Sequence, residues 1–213
     1  MAAKLSQKAS RRIFKPLVFL IALLPLAWLL YALYSDTVLG TRLLTNDPVQ
    51  KLDRELGDWA LILIIVTLAV RPAREILGIN EIIAYRRMIG LFAFFYVLLH
   101  LSSYTVLNLQ FNLDEFLVDV AKRPFITIGV INFVGLAALA ATSTRGMIRR
   151  LGGRNWRRLH MAIYGISVLG LIHFIMMIRA DFSRPFIYGG CIAVLLGYRL
   201  WAAQRKNAKA KPA

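Results

Sequence analysis

The apolar residues of the chain fall into long uncharged runs that short charged segments separate. Five runs approach the roughly 20 residues that a helix needs to cross a bilayer core. A sixth, Trp59–Val70, is shorter and must borrow flanking residues or meet a locally thinner membrane. The pattern predicts six transmembrane helices, at about residues 16–34, 56–71, 88–107, 124–141, 159–178 and 185–203. The first run is too long for a signal-peptide core, so we interpret it as a retained helix.

The composition supports a membrane protein. Hydrophobic residues make up 58% of the chain, whereas about 45–50% is typical of soluble domains. The six runs leave no room for a soluble module of any size. We therefore predict an all-α integral membrane protein in which residues 1–213 form a single six-helix domain.

The net charge of +16 is distributed in a way that indicates topology. With the N-terminus inside, most of the 27 basic residues lie in the N-terminal segment, in 71–87, in 145–158 and in the tail. Most of the 11 acidic residues lie on the opposite side. This asymmetry follows the positive-inside rule and predicts that both termini are cytoplasmic. It also argues against nucleic-acid binding as the reason for the basic charge. The single cysteine, Cys191, excludes an intramolecular disulfide.

The loop at 107–124 is predicted to contain a short amphipathic helix on the outer surface. Its apolar face would consist of Phe111, Phe116, Leu117 and Val120, and its acidic residues, pointing to water, would be Asp114, Glu115 and Asp119. These acids either solvate that face or dock a partner protein.

All three histidines of the chain occupy apolar surroundings. His100 and His173 each lie about 20 Å along a helix that starts at the inner side, at 1.5 Å per residue. The two are therefore expected at similar depth, towards the outer leaflet, on helices of the same direction. His160 is expected at the inner boundary, directly after Arg158.

Two imidazoles at one depth in a helical bundle can sandwich a haem iron. Two axial imidazoles leave no vacant coordination site, which suits electron transfer rather than oxygen binding. A Cys-x-x-Cys-His motif is absent from the sequence, so such a haem would be non-covalent and b-type. The alternatives are hydrogen bonding to a neighbouring helix or a place in a proton path. Zinc is disfavoured, because no carboxylate or thiol is expected at that depth.

The spacing of His160 and His173 presents a difficulty. Thirteen residues leave them about 140° apart around an ideal helix and about 20 Å apart along it, so they cannot share one haem. Either they serve different sites, or a π-bulge near Gly165 or Gly170 turns one of them.

Two stretches, RRMIGLFAFFYVLLHLSSYTVLNL and TSTRGMIRRLGGRNWRRLHMAIYGISVLGLIHF, resemble the MsrQ (YedZ) family. This family comprises membrane subunits of bacterial periplasmic methionine sulfoxide reductase systems and belongs to the ferric-reductase-like transmembrane superfamily. The resemblance extends over essentially the whole chain. It implies that histidines of the third and fifth helices, here His100, His173 and His160, ligate b haems stacked across the membrane.

Two departures from the superfamily pattern affect the expected cofactors. The oxidases of the superfamily carry a second histidine on the third helix where this chain has Arg86. An inner haem would thus have His160 on one face only, while Arg86 and Arg87 are candidates to hold haem propionates or a flavin phosphate. The flavin and nicotinamide domain of the oxidases is absent, and no G-x-G-x-x-G fingerprint occurs.

The resemblance implies a b-type cytochrome of the bacterial inner membrane, with one or two haems and an association with FMN. Electrons would come from the quinone pool or a flavin reductase. They would pass to a periplasmic molybdopterin-containing methionine sulfoxide reductase subunit, docked near loops 108–123 and 179–185. The chain would make no product itself, so the term enzyme would apply only to the complex. The alternative function is a small transporter or proton channel that uses the histidines as a relay.

Overall fold

The computed structural model describes residues 7–178 and 180–210, with side chains over 14–178 and 180–205. Within these residues every regular element is helical. The α-helices are α1 Gln7–Val38, α2 Pro48–Leu77, α3 Arg86–Ser103, α4 Leu113–Lys122, α5 Pro124–Ala141, α6 Arg145–His160, α7 Ala162–Met177 and α8 Ser183–Ala210. A 3-10 turn, Asn80–Ala84, precedes α3, and a π-helical turn, Tyr104–Asn108, follows it. The all-α prediction is confirmed for this part of the chain.

Five segments of the described chain are long and apolar enough to cross a membrane. They are Phe14–Val38, Arg86–Asn108, Pro124–Ala141, Arg145–Met177 and Ser183–Arg205. These correspond to five of the six predicted helices. The last of the six ranges, 185–203, lies inside the longer α8. The lengths differ because a hydrophobic pattern marks only the apolar part of a helix and not the polar turns that extend it beyond a membrane.

The remaining predicted helix, 56–71, forms the middle of α2, which is not among the five. Its apolar stretch, 59–70, is short and is bounded by Asp58 and Arg71. Asp58 is buried and forms an ion pair of 2.7 Å with Arg184 of α8. Apolar side chains of this stretch are buried in the core, including Leu61, Ile64 and Leu68. α2 is thus a central helix of the bundle, and its crossing of the membrane stays a prediction.

The helices pack so that the bundle has two distinct ends. α2 packs mainly on α3, and α5 mainly on α7, while α8 lies against both α2 and α7. Hydrogen bonds join the start of α2 to the end of α3, and the start of α5 to the end of α7. We call this the α4 end, because α4 also lies there, bonded to the first turn of α5. The opposite end, where α5 meets α6, is the α6 end.

Tyr96 ties α1 to α3 at a proline. The Tyr96 hydroxyl donates to the Ala22 carbonyl at 2.8 Å and accepts from the Leu26 N–H at 3.1 Å. These two groups would bond each other in an uninterrupted helix, but Pro25 lies between them, and side-chain insertion beside proline is a common cause of a helix kink. Tyr96 is fully buried, so this contact fixes how α1 joins the bundle.

The predicted amphipathic helix is present as α4, but its polar face is not as expected. Asp114 and Glu115 are exposed, whereas Asp119 is buried. Its carboxylate accepts a hydrogen bond from Tyr104 and pairs with Arg123 at 3.0 Å. The prediction that Asp119 points to water is therefore wrong. The π-helical turn explains the error, because it directs Tyr104 towards α4, which spacing along α4 could not reveal.

One residue of the predicted apolar face, Phe111, lies outside α4. Phe111 precedes the helix with a φ of 62° and is 75% exposed, and Leu117 is 57% exposed. Only Phe116 and Val120 are half-buried. α4 therefore presents apolar as well as acidic side chains away from the bundle.

The basic segment between the fourth and fifth predicted helices is itself helical. It forms α6, whose side chains include six arginines and which breaks at Gly152, where φ is 75°. A φ in this range favours glycine, because a Cβ would clash with the backbone. α7 then begins at Ala162 and runs as a regular α-helix to Met177.

Candidate functional site

The structure brings His100 and His173 together near the α4 end. Their ring centroids are 6.3 Å apart, and the ring planes cross at 76°. His100 belongs to the last turns of α3, and His173 to those of α7. Both side chains are half-buried within the bundle. The pair therefore lies between two helices that are far apart in sequence.

Each of these imidazoles is bonded to a backbone carbonyl of a neighbouring helix. The Nδ1 atom of His100 lies 2.9 Å from the Asp53 carbonyl oxygen, and that of His173 lies 2.7 Å from the Phe125 carbonyl oxygen. A carbonyl can only accept, so Nδ1 carries the proton in both rings. Nε2 is then the nitrogen with the free lone pair. Carbonyl bonding of this kind orients metal-binding histidines and increases their basicity.

Asp53 contributes a second contact to the same region through its side chain. Its carboxylate accepts hydrogen bonds from the Ser103 hydroxyl and from Asn108 Nδ2, the latter at 2.7 Å. Ser103 ends α3 and Asn108 ends the π-helical turn. One residue of α2 thus holds both the His100 ring and the chain that follows α3.

His160 is not part of this pair and lies at the α6 end. Its Nε2 is 3.1 Å from the Thr142 hydroxyl oxygen, and its ring stacks on Trp156 with centroids 4.0 Å apart. Thr142 itself donates to the Ala138 carbonyl at 2.7 Å, so the His160 Nε2–H is the donor to Thr142. His160 therefore uses the ring nitrogen that the other two histidines leave with a lone pair.

The two explanations for the His160–His173 spacing can now be distinguished. α7 contains no π-bulge at Gly165 or Gly170. The chain instead separates the histidines onto α6 and α7, with Met161 between the helices. His160 and His173 occupy different ends of the bundle, as the alternative of separate sites requires.

A second group of polar side chains lies at the α6 end. Arg86 begins α3 and His160 ends α6, so both lie at this end of the bundle. Arg199 of α8 donates to the Tyr164 hydroxyl at 2.8 Å and to the Leu68 carbonyl at 2.9 Å. Among the described residues, no carboxylate lies within ion-pair distance of Arg86 or Arg199. Two half-buried cations without an acidic partner make this cluster suitable for an anion.

The structure places the site residues predicted from the sequence at two ends of the bundle and adds residues that the sequence did not indicate. Arg87 is exposed, whereas Arg86 is half-buried. Asp53, Phe125, Arg199 and Tyr164 were missed, because backbone acceptors leave no mark in a sequence and Arg199 follows a long apolar run. In the described residues no three His, Cys, Asp or Glu side chains group as a metal site.

Comparison with known proteins assigns the chain to a class. Residues 56–171 match the family of ferric reductase like transmembrane components. This range covers more than half of the chain and contains His100 and His160, while His173 lies two residues beyond it. The chain belongs to this family and, with five apolar segments of membrane-spanning length in its described residues, is a multi-pass membrane protein.

Several relatives share a more specific description. The chain is 44% identical over 190 residues to the protein-methionine-sulfoxide reductase heme-binding subunit MsrQ of Polaromonas naphthalenivorans, covering 88% of this chain and 84% of that protein. It is 41% identical over 196 residues to MsrQ of Caulobacter vibrioides, covering 92% and 90%. The resemblance to the MsrQ family is confirmed.

A magnetosome protein contains a related region. The chain is 43% identical over 195 residues to magnetosome protein MamZ of Magnetospirillum gryphiswaldense, covering 91% of this chain. It spans only 30% of the length of that relative. A region similar to this chain therefore makes up most of the MsrQ relatives but less than a third of the magnetosome protein.

Proposed function

We propose that this chain is a haem-binding electron-transfer subunit of a membrane methionine sulfoxide reductase system, with His100 and His173 as the axial ligands of a b-type haem. The observation that carries the proposal is the pairing of these two rings. MsrQ relatives of nearly the same length are described as heme-binding subunits of a methionine sulfoxide reductase. The proposal extends that description to this chain.

The distance between the rings fits a metal bound by both. Two metal–imidazole bonds of about 2 Å hold the ligating nitrogens about 4 Å apart. The radii of two imidazole rings account for the rest of the 6.3 Å between the centroids. With the proton on Nδ1, each ring would bind a metal through the lone pair of Nε2.

The bound haem would supply a one-electron couple, and the chain would supply the position and surroundings of that couple. His100 and His173 would both bind the haem iron through Nε2, which would leave no position for oxygen. The Asp53 and Phe125 carbonyls hold the rings through Nδ1. Because both rings are held in this way, neither side chain would have to move on reduction, which would favour rapid electron transfer.

A second cofactor position is proposed at the α6 end. His160 would offer one axial imidazole after it exchanges its Thr142 bond for the metal. Arg86 and Arg199 would bind an anion, either the propionates of a second haem or the phosphate of FMN, and Tyr164 would hold the Arg199 guanidinium in place. Arg87, at the exposed side of the same turn, would contact such an anion only at the membrane surface.

The proposed topology has six crossings of the bacterial inner membrane, with α2 as the sixth and both termini cytoplasmic. The α6 end then faces the cytoplasm, which suits its arginines. The α4 end faces the periplasm, where a molybdopterin-containing reductase subunit would dock. Electrons would enter from the quinone pool or a flavin reductase and leave near His100 and His173. The chain would form no product by itself.

A spectrum of the purified protein tests the proposal. We expect a reduced-minus-oxidised difference spectrum typical of a b-type cytochrome, and extractable haem in at least equimolar amount. A folded, monodisperse preparation without haem absorbance would exclude the electron-transfer function. Haem and flavin quantitation on the same sample gives the number of each cofactor. Reporter tags at both termini test the topology, and a periplasmic signal from either terminus would contradict it.

A further inference from the structure

Two glycines lie directly against the paired imidazoles, at equivalent places in the fold. A Cβ built on Gly57 of α2 would lie 3.4 Å from the His100 ring, and one built on Gly129 of α5 would lie 3.0 Å from the His173 ring. Each glycine comes four residues after the residue whose carbonyl binds that ring. The two sites thus share the same arrangement of an acceptor carbonyl, a glycine four residues later and an imidazole that contacts both.

The helical geometry explains why glycine is needed four residues after the acceptor. A helical carbonyl points along the axis towards the residue four positions later, whose N–H it already accepts. A second donor can reach that oxygen only from the side on which this later residue carries its Cβ. Without a Cβ at Gly57 or Gly129, the flat imidazole can lie on the helix backbone and donate its Nδ1–H to the carbonyl.

We propose that Gly129 and Gly57 are positioning residues for the two axial imidazoles, because each opens the carbonyl four residues before it to a histidine Nδ1–H. The inference rests on the proposed haem function and adds residues that set the properties of the bound haem. A carbonyl bond to Nδ1–H increases the basicity of the ligand. A more basic imidazole stabilises the ferric state, so these contacts lower the midpoint potential of the haem.

The two positions differ in how much space remains. At Gly57 the 3.4 Å separation is close to an ordinary van der Waals contact, so alanine there displaces the His100 ring little. At Gly129 the separation of 3.0 Å requires the His173 ring to shift. We therefore expect a graded effect, with Gly129→Ala larger than Gly57→Ala.

The α5–α7 interface also offers a matched control. Gly135 lies on the same helix as Gly129, and a Cβ there would approach the Ile166 side chain of α7 at 2.9 Å. Gly135→Ala therefore crowds the same pair of helices without touching a histidine. Gly165 of α7 has open space around its Cβ position, so Gly165→Ala controls for the change in helix propensity.

The experiment compares the four variants with the wild-type protein in detergent. It records haem per protein, the midpoint potential, the low-spin ferric EPR spectrum and the melting temperature. For Gly129→Ala we expect a higher potential and shifted g values at near-normal haem content. Gly57→Ala should show the same changes to a smaller extent. Gly135→Ala and Gly165→Ala should retain the wild-type potential and spectrum.

Each other outcome has a definite meaning. Unchanged potential and g values in Gly129→Ala would overturn the inference, as would equal changes in Gly129→Ala and Gly135→Ala. If Gly129→Ala loses haem, its melting temperature is compared with that of His173→Ala. A melting temperature equal to that of His173→Ala supports displacement of the His173 ring from the haem. A much lower melting temperature indicates that Gly129 acts through helix packing and overturns the inference. Absence of haem from the wild-type protein would instead refute the proposed function.

Discussion

The ring of His100 on α3 faces the ring of His173 on α7, with centroids 6.3 Å apart and planes crossed at 76°. Each ring is fixed by a carbonyl of the helix next to it. The pair is therefore held from both sides by backbone atoms, and its geometry leads to the first two predictions.

The first prediction concerns ligation. His100→Ala or His173→Ala should each remove the haem at the α4 end, because one axial imidazole leaves a five-coordinate iron in a site with a cavity. His160→Ala is the matched control and should leave the low-spin signal of that haem intact. Haem quantitation and EPR measure both. Loss of the only haem in His160→Ala, with retention in His173→Ala, would show that the pairing is wrong.

The second prediction concerns the EPR spectrum of the oxidised protein. Nearly perpendicular imidazole planes leave two iron d orbitals close in energy, which gives a strongly anisotropic low-spin signal with a large highest g value. The 76° between the rings predicts such a signal. A rhombic spectrum of the kind that parallel imidazole planes produce would contradict the orientation of the rings described here.

The third prediction concerns the ion pair between α2 and α8. Arg184 is half exposed, but its partner Asp58 is buried, and Asp58 Oδ1 has no hydrogen-bond partner among the described residues. Arg184→Met should destabilise the protein by about 1–3 kcal/mol, because it leaves a buried carboxylate without its cation. The measurement is the melting temperature in detergent.

A double variant provides the control for this pair. Asp58→Asn with Arg184→Met removes both charges, so it should be more stable than Arg184→Met alone. If the loss of stability in the double variant equals the sum of the losses in Asp58→Asn and Arg184→Met, the ion pair does not couple the two helices.

The fourth prediction concerns docking at the α4 end. Neutralising Asp114 and Glu115 should slow electron transfer to the partner reductase at low salt and flatten its ionic-strength dependence, because exposed charges mainly set encounter rates. The haem spectrum should not change. Asp119→Asn serves as the contrast: because Asp119 pairs with Arg123 and Tyr104, its loss should lower the melting temperature instead. Unchanged kinetics in the double variant would contradict a docking role for these two acids and would show that they only form a solvated surface.

The second proposed docking loop has its own acidic residue. Asp181 accepts a hydrogen bond from the Ser183 backbone N–H at 2.9 Å, and hydrogen bonds from Ser183 hold the pKa of its carboxyl below the ordinary value. Asp181 is therefore ionised throughout the neutral range. Arg179, also proposed for this loop, lies outside the described residues.

The pattern of long apolar runs predicted part of the fold. It indicated five of the apolar spans and the place of His100 and His173, because a bilayer requires long uncharged runs. It did not reveal that Asp119 is buried, since a π-helical turn decides which side chain meets α4. It also missed Arg199, whose role depends on α8 lying against α2 and α7. Contacts between distant helices are set by packing, and a single sequence does not display packing.

The acceptors of the histidine protons are backbone oxygens, and this has a consequence for the evolution of the site. Any amino acid supplies a carbonyl, so the contact with His173 places no demand on the side chain at position 125. It does demand that position 129 remain without a Cβ, since the imidazole occupies that space. We therefore expect related proteins to vary at the residue whose carbonyl accepts the histidine proton and to keep glycine four positions later, where no side chain takes part in the contact.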